Sequence, residues 1–231
     1  IACHLANAGF SVDVLDRVLE GEKGTVDDLA RSSLEAAIKM NPAPLFSNNL
    51  KSRIRTGNFR DHLPRLAEAD WILECIIERR EDKMALYEAI EPHRRSGVPV
   101  STNTSGIPIG SLLEGRSSDF VSCFLGTHFF NPPRYLNLLE IIPSAQTEAH
   151  WVDFFMEFGR KFLGKTTVQC RDTPGFIANR IGVYSMMRLL HLMENSDVLP
   201  ETIERFSGPL IGRPKSATFR TADVVGLDTF V

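Results

Sequence analysis

A histidine closes the apolar run Gly126-Thr127-His128-Phe129-Phe130, the pair Pro132-Pro133 follows, and an acid returns at Glu140. An imidazole titrates near neutrality and so suits the removal of a proton from a hydroxyl group. A carboxylate on its far nitrogen would fix the tautomer and stabilise the imidazolium. Pro132 and Pro133 force a turn between the segments on either side. With that turn centred near Arg134, residue 128 faces residue 140, and directly opposed residues on paired strands have Cβ atoms ~5 Å apart. A lone histidine would more often be a buried structural group, but His128 has Glu140 for company. Asn131 is expected to fix the turn rather than to take part in chemistry.

More polar groups collect at one predicted edge. Asp16, Glu78, Asn103, Ser105 and His128 each stand at or just past the carboxyl end of a predicted strand, the edge at which open α/β sheets bind ligands. An acid ending the second strand of a βαβ unit, about 20 residues past a glycine-rich turn, hydrogen-bonds the ribose of a dinucleotide. Asp16 has that position, although an aspartate ending a strand is commonly a turn residue only. Counting back from Asp16 runs off the start of the chain, and no G-x-G-x-x-G occurs in the 231 residues. A carboxylate there would repel a 2′-phosphate, which favours NAD over NADP. Glu78 and Lys83 also read as an ordinary charge pair on a solvated helix start. Ser105 reads equally as a turn or cap residue, and Asn179 as a helix-surface amide.

The elements that must carry these residues alternate. Strands are predicted over Ser11–Leu15 (ending at Asp16), Ile54–Thr56, Trp71–Ile77, Val98–Thr102, Cys123–Thr127, Leu138–Ile142 and Thr167–Cys170. Helices are predicted from Thr25 to Met40, Arg80 to His93, Pro108 to Leu113 and Glu148 to Phe162, the last with Trp151, Phe154, Phe155, Phe158 and Phe162 as a core-facing stripe. From Pro174 the pattern is purely helical: Phe176 to Glu194, then Pro200 to Phe206. Alternating strands and helices predict an α/β fold, a doubly wound, mostly parallel sheet, followed by an all-α domain. The boundary falls at Asp172–Pro174, giving domains 1–172 and 173–231. Ile1–Gly9 reads as the tail of a helix already under way and Val224–Val231 breaks off in an apolar run, so an internal fragment is expected, its sheet lacking the first strand and its helical domain incomplete.

Composition narrows the partners. A net charge of −3 with scattered basic residues leaves no nucleic-acid footprint. The apolar runs are too short to span a membrane. Cys3, Cys75, Cys123 and Cys170 show no metal-ligand spacing, so no metal site is expected, and three of them lie in apolar strand-like segments, which suits buried reduced thiols in a cytoplasmic protein.

The His128 and Glu140 segment, Asn103-Thr104-Ser105 and Asp172-Thr173-Pro174-Gly175-Phe176-Ile177-Ala178-Asn179-Arg180 together resemble the 3-hydroxyacyl-CoA dehydrogenases of fatty-acid β-oxidation, and most closely the dehydrogenase part of bacterial multidomain β-oxidation enzymes. The resemblance covers essentially the whole chain. It implies a Rossmann-type NAD-binding domain whose glycine turn lies upstream of the segment matching Ile1. It implies a His128–Glu140 catalytic dyad, with Ser105 and Asn179 on the substrate oxygen. It also implies Asp16, Glu78, Lys83 and Asn103 as cofactor contacts. The implied reaction is NAD-dependent oxidation of L-3-hydroxyacyl-CoA to 3-ketoacyl-CoA. Lys39, Lys51, Arg53 and Arg55 would meet the CoA phosphates or simply form a solvated face. A homodimer and a fused enoyl-CoA hydratase domain belong to the intact protein in this reading. Against it stand a non-catalytic relative of the crystallin kind, which has no need of all four catalytic residues, and dehydrogenases of other β-hydroxy acids, which commonly use a lysine base. Without its glycine turn the fragment alone is expected to bind NAD weakly and to be inactive.

Overall fold

The structure is a computed structural model that describes residues 1–18, 28–194, 196–213 and 215–225. The start of the helix expected from Thr25 to Met40, and 226–231 of the C-terminal apolar run, lie outside the described residues. The chain divides into two compact units, Ile1–Pro174 and Gly175–Val231.

In the first unit, helix α1 (Ala2–Asn7) leads into strand β1 (Val12–Asp16) through Gly9, whose φ of +99° is a conformation that glycine tolerates without strain. Helix α2 (Asp28–Ile38) follows, and strand β2 (Ile54–Asn58) pairs in parallel with β1, Asp16 standing beside Asn58. Strand β3 (Ile72–Glu74), helix α3 (Arg80–Ile90) and strand β4 (Val100–Thr102) form a parallel unit. After a 3₁₀ turn (Ile109–Leu112) and the short helix α4 (Ser118–Ser122) come β5 (Phe124–Phe129) and β6 (Leu138–Pro143). Helix α5 (Ala149–Lys161) and strand β7 (Thr166–Gln169) complete the unit.

Strands β3 to β7 make one sheet in sequence order, parallel except for the β5–β6 hairpin, while β1 and β2 stand as a separate pair. Among the described residues no strand joins the second edge of β1 to the outer edge of β3. Val12 of β1 and Leu73 of β3 nevertheless pack on the same buried cluster, with Leu5, Leu125, Leu139, Ile141 and Phe155 at its centre. The first unit is thus α/β with mostly parallel strands, as expected.

Three differences from the sequence reading have physical reasons. Strand β3 stops at Glu74 instead of Ile77, because the Glu74 carboxylate accepts the Ile76 backbone N–H at 2.6 Å and turns the chain out of the ladder. Cys75 is consequently exposed, unlike the buried Cys3, Cys123 and Cys170. The aromatic stripe of α5 is not wholly core: Phe155 is buried, but Phe154 and Phe162 are 45% and 59% exposed. The buried face of α5 is centred on Val152, Phe155 and Gly159, and successive residues turn by ~100°, which carries Phe154 to the margin. Gly159 lets the helix lie close to the sheet, since a Cβ there would come within 2.5 Å of Thr167.

The second unit is helical: α6 (Ala178–Glu194), α7 (Pro200–Phe206), a 3₁₀ turn (Pro209–Ile211) and α8 (Phe219–Val225). Glu204 accepts the Phe219 and Arg220 backbone N–H groups at 2.7 and 2.9 Å, capping α8. No described helix is long and apolar enough to cross a membrane.

Candidate active site

His128 and Glu140 are directly paired residues of the antiparallel β5–β6 hairpin, with the Pro132-Pro133 turn between them. The imidazole Nδ1 lies 2.8 Å from Glu140 Oε2, and the two side chains are only 5% and 0% exposed. Nε2 therefore points away from the carboxylate. The Phe130 ring lies 4.4 Å from the imidazole, centroid to centroid. A carboxylate without exposure needs hydrogen-bonding partners, and the His128 ring is one of them.

The loops after β3 and β4 meet beside this hairpin. Asn103 directly follows β4; its Oδ1 accepts the Phe129 N–H at 2.8 Å and its own N–H reaches the Glu74 carbonyl at 2.8 Å, so it ties the residue next to His128 to β3. Glu78 Oε1 accepts from Thr104 Oγ1, from the Ser105 N–H at 2.7 Å and from the Gly106 N–H at 3.2 Å. Partial burial opposes the charge on Glu78, but the Thr104 and Ser105 hydrogen bonds and the Lys83 ammonium outweigh it and hold the carboxyl below its usual range. Ser105 itself is exposed.

Lys83 is not the solvated surface partner that one reading of the sequence allowed. Its side chain is 1% exposed, and Nζ donates to both oxygens of Glu74 at 2.8 and 3.0 Å and lies 3.3 Å from Glu78 Oε2. Tyr87 and Thr102 hydroxyls donate to the same Glu74 oxygen at 2.8 and 2.7 Å. Burial, and then the Glu74 charge, raise the Tyr87 phenol above its ordinary value, so it stays a donor. Sequence reasoning passed over Glu74, Tyr87 and Thr102. The signal was present: an acid inside the apolar run Trp71–Ile77 must find buried partners.

Asp16 ends β1 half-buried and accepts the Arg17 N–H at 2.7 Å. Asp172, first residue of the Asp-Thr-Pro-Gly motif, accepts the Ile109 and Gly110 N–H groups at 2.7 and 2.9 Å, which fastens the end of the first unit to the segment after Ser105. Asn179 is the second residue of α6 in the second unit. The expected cation group is dispersed: Arg55 is held by Asp13 at 2.6 and 2.8 Å, and Arg53 donates to the Gly9 carbonyl. Lys51 lines an open groove of about 700 Å³ with Arg31, Glu35 and Asn48.

The first unit thus bonds His128 directly to Glu140, ties Asn103 to the neighbouring Phe129, and joins Glu78, Lys83 and the Ser105 backbone in one network. A paired imidazole at a sheet edge can move a proton to or from a bound hydroxyl.

Comparison with known proteins gives a consistent result. Residues 1–173 match the family described as 3-hydroxyacyl-CoA dehydrogenase, NAD binding domain, and residues 175–231 match the C-terminal domain of the same family. A probable 3-hydroxyacyl-CoA dehydrogenase of Bacillus subtilis is 47% identical over 243 residues, covering 100% of this chain and 31% of that protein. One from Deinococcus radiodurans is 46% identical over 228 residues, covering 99% of this chain and 66% of that protein. The chain therefore spans between about a third and two thirds of these relatives. The crystal structure of (S)-3-hydroxybutyryl-CoA dehydrogenase from Ralstonia eutropha shares the fold, with a TM-score of 0.79 and 24% identity over 99% of this chain and 78% of that one.

Proposed function

Since the chain belongs to the 3-hydroxyacyl-CoA dehydrogenase family, we propose that the protein containing it oxidises a 3-hydroxyacyl-CoA to the 3-ketoacyl-CoA with NAD. The observation that carries this reading is the buried His128–Glu140 pair at 2.8 Å across the β5–β6 hairpin, whose first strand ends beside Asn103.

The donor set fits the ribose and nicotinamide parts of a dinucleotide. Asp16 supplies a carboxylate at the end of β1, where ribose hydroxyls are bound in folds of this class. Glu78 and Asn103 supply an acceptor and an amide in the segments that follow β3 and β4. None of the 231 residues forms a G-x-G-x-x-G turn, so none is assigned to the pyrophosphate. Lys83 stands behind Glu78 and acts on the cofactor site through that carboxylate. When bound, the nicotinamide accepts the hydride from C3 of the substrate.

The protein handles the proton. His128 Nε2 takes it from the 3-hydroxyl, and Glu140 balances the imidazolium charge at Nδ1. The Ser105 hydroxyl donates to the substrate oxygen as negative charge develops on it. Asn179 keeps the same role on the family resemblance alone. In the reverse direction His128 is the acid and returns the proton.

The test is substrate class. Full-length protein is assayed for NADH oxidation with acetoacetyl-CoA and, separately, with free acetoacetate. The expected result is turnover of the thioester and none of the free acid. Preference for the free acid would transfer the reading to dehydrogenases of other β-hydroxy acids. A folded protein that binds NADH and turns over neither would be a non-catalytic member.

A further inference from the structure

The buried carboxylate of Glu74 is not used by the mechanism, yet four donors converge on it. Oε1 takes the Ile76 N–H at 2.6 Å and Lys83 Nζ at 2.8 Å. Oε2 takes Lys83 Nζ at 3.0 Å, the Tyr87 hydroxyl at 2.8 Å and the Thr102 hydroxyl at 2.7 Å. These donors come from the loop after β3, from α3 and from the end of β4.

Each is connected to a residue of the proposed site. Lys83, held by Glu74, lies 3.3 Å from Glu78, and Glu78 in turn accepts the Ser105 and Gly106 amides. Thr102, held by Glu74, accepts the Thr104 N–H at 3.2 Å, and its neighbour Asn103 accepts the Phe129 N–H beside His128. One buried anion therefore fastens the two loops that carry Glu78, Asn103 and Ser105 to each other and to the strand bearing His128.

We propose that Glu74, with Lys83, Tyr87 and Thr102, is a positioning centre for the active site: it touches no reactant and sets the places of the groups that do. The inference rests on the dehydrogenase reading only for the choice of assay. A hydrophobic filler of similar volume would serve packing as well as or better than a buried ion pair. Four converging donors tied to both ligand-facing loops favour placement over packing as the role.

The experiment uses full-length protein as wild type, Glu74→Gln and the double variant Glu74→Gln/Lys83→Gln, with NADH affinity by fluorescence, kcat and KM with acetoacetyl-CoA, and the thermal midpoint. A glutamine presents one oxygen and two unwanted donors to the converging groups. The single variant is expected to lose ~10²-fold in kcat, the scale of an ~1 Å misplacement, and to bind NADH several-fold more weakly. Removing the stranded ammonium in the double variant is expected to restore most of the thermal midpoint but not kcat or NADH affinity. Activity that returns together with stability would show a merely structural pair and overturn the inference, as would wild-type kcat in the single variant. If Glu74→Gln does not fold, Thr102→Val keeps the ion pair and removes the side-chain tie from β4 to the carboxylate; reduced kcat with a nearly unchanged midpoint supports the inference, and wild-type kcat overturns it. Should the wild type bind NADH without turning over acetoacetyl-CoA, the proposed function fails, while the NADH affinities of the variants still decide the positioning role.

Discussion

Replacing Glu140 with glutamine removes one charge from a buried pair without changing its shape. The carboxylate is 0% exposed and sits 2.8 Å from His128 Nδ1, and glutamine still offers an oxygen to the ring N–H. Two unit charges ~4 Å apart at an effective dielectric of ~20 attract by ~4 kcal/mol, before desolvation is subtracted. Hydrogen bonds to charged groups contribute ~1.5–3 kcal/mol net, against about half that for neutral ones. The charge-specific part that supports the imidazolium is therefore the difference, ~0.7–1.5 kcal/mol, or a loss of ~3–10-fold in kcat. Loss of the imidazole itself in His128→Ala is expected to cost ~10²–10⁴. Because Glu140 acts only through His128, the double variant should be no slower than His128→Ala alone. Stopped-flow or steady-state NADH oxidation with acetoacetyl-CoA, on variants shown to be folded by circular dichroism, gives all four corners of the cycle. Losses that multiply in the double variant, or a Glu140→Gln rate within ~2-fold of wild type, would refute the coupling.

Other expectations follow from neighbouring features. Asp16→Ala removes the carboxylate at the end of β1, and fluorescence titration should show NADH bound ~10-fold or more weakly, the scale of a lost charged hydrogen bond, with the gap between NADH and NADPH narrowed; an unchanged ratio would remove Asp16 from the ribose site. His4 Nε2 donates to the Leu163 carbonyl at 3.0 Å, and burial, with Lys165 adding to it, lowers its pKa from 6.5 to about 4. The unfolded chain then binds a proton that the folded one does not, so stability falls as pH drops from 6.5 to about 4 and no further below. His4→Gln should flatten that slope in urea titrations at stepped pH; an unchanged slope counts against the assignment. Gly159→Ala drives a methyl to within 2.5 Å of Thr167 and should cost ~1–3 kcal/mol by overpacking, read as a lower midpoint in calorimetry.

Much of the site was legible because strand pairing converts spacing into geometry. Two prolines fix a turn, and the symmetry of 128 and 140 about residue 134 then gives the register that pairs His128 with Glu140. The carboxyl-edge rule rested on strand ends: β1 does end at Asp16 and β4 just before Asn103, whereas β3 stops four residues short of Glu78. The Glu74 network was not legible in the same way: its members, at 74, 83, 87 and 102, belong to three elements whose packing no local periodicity encodes. The early end of β3 has the same origin, since a tertiary carboxylate captured a backbone donor that propensity would have left in the ladder. In α5 periodicity identified an apolar face but not its centre, which depends on where Gly159 allows the helix to touch the sheet.

The most direct test is NADH oxidation with acetoacetyl-CoA by full-length protein, wild type beside His128→Ala, with NADH affinity measured on both. The wild type is expected to turn over, the variant to fall by ~10²–10⁴ in kcat, and NADH binding to stay nearly the same. Equal turnover by the two proteins would contradict His128 as the proton-transfer group, and with it the proposed mechanism.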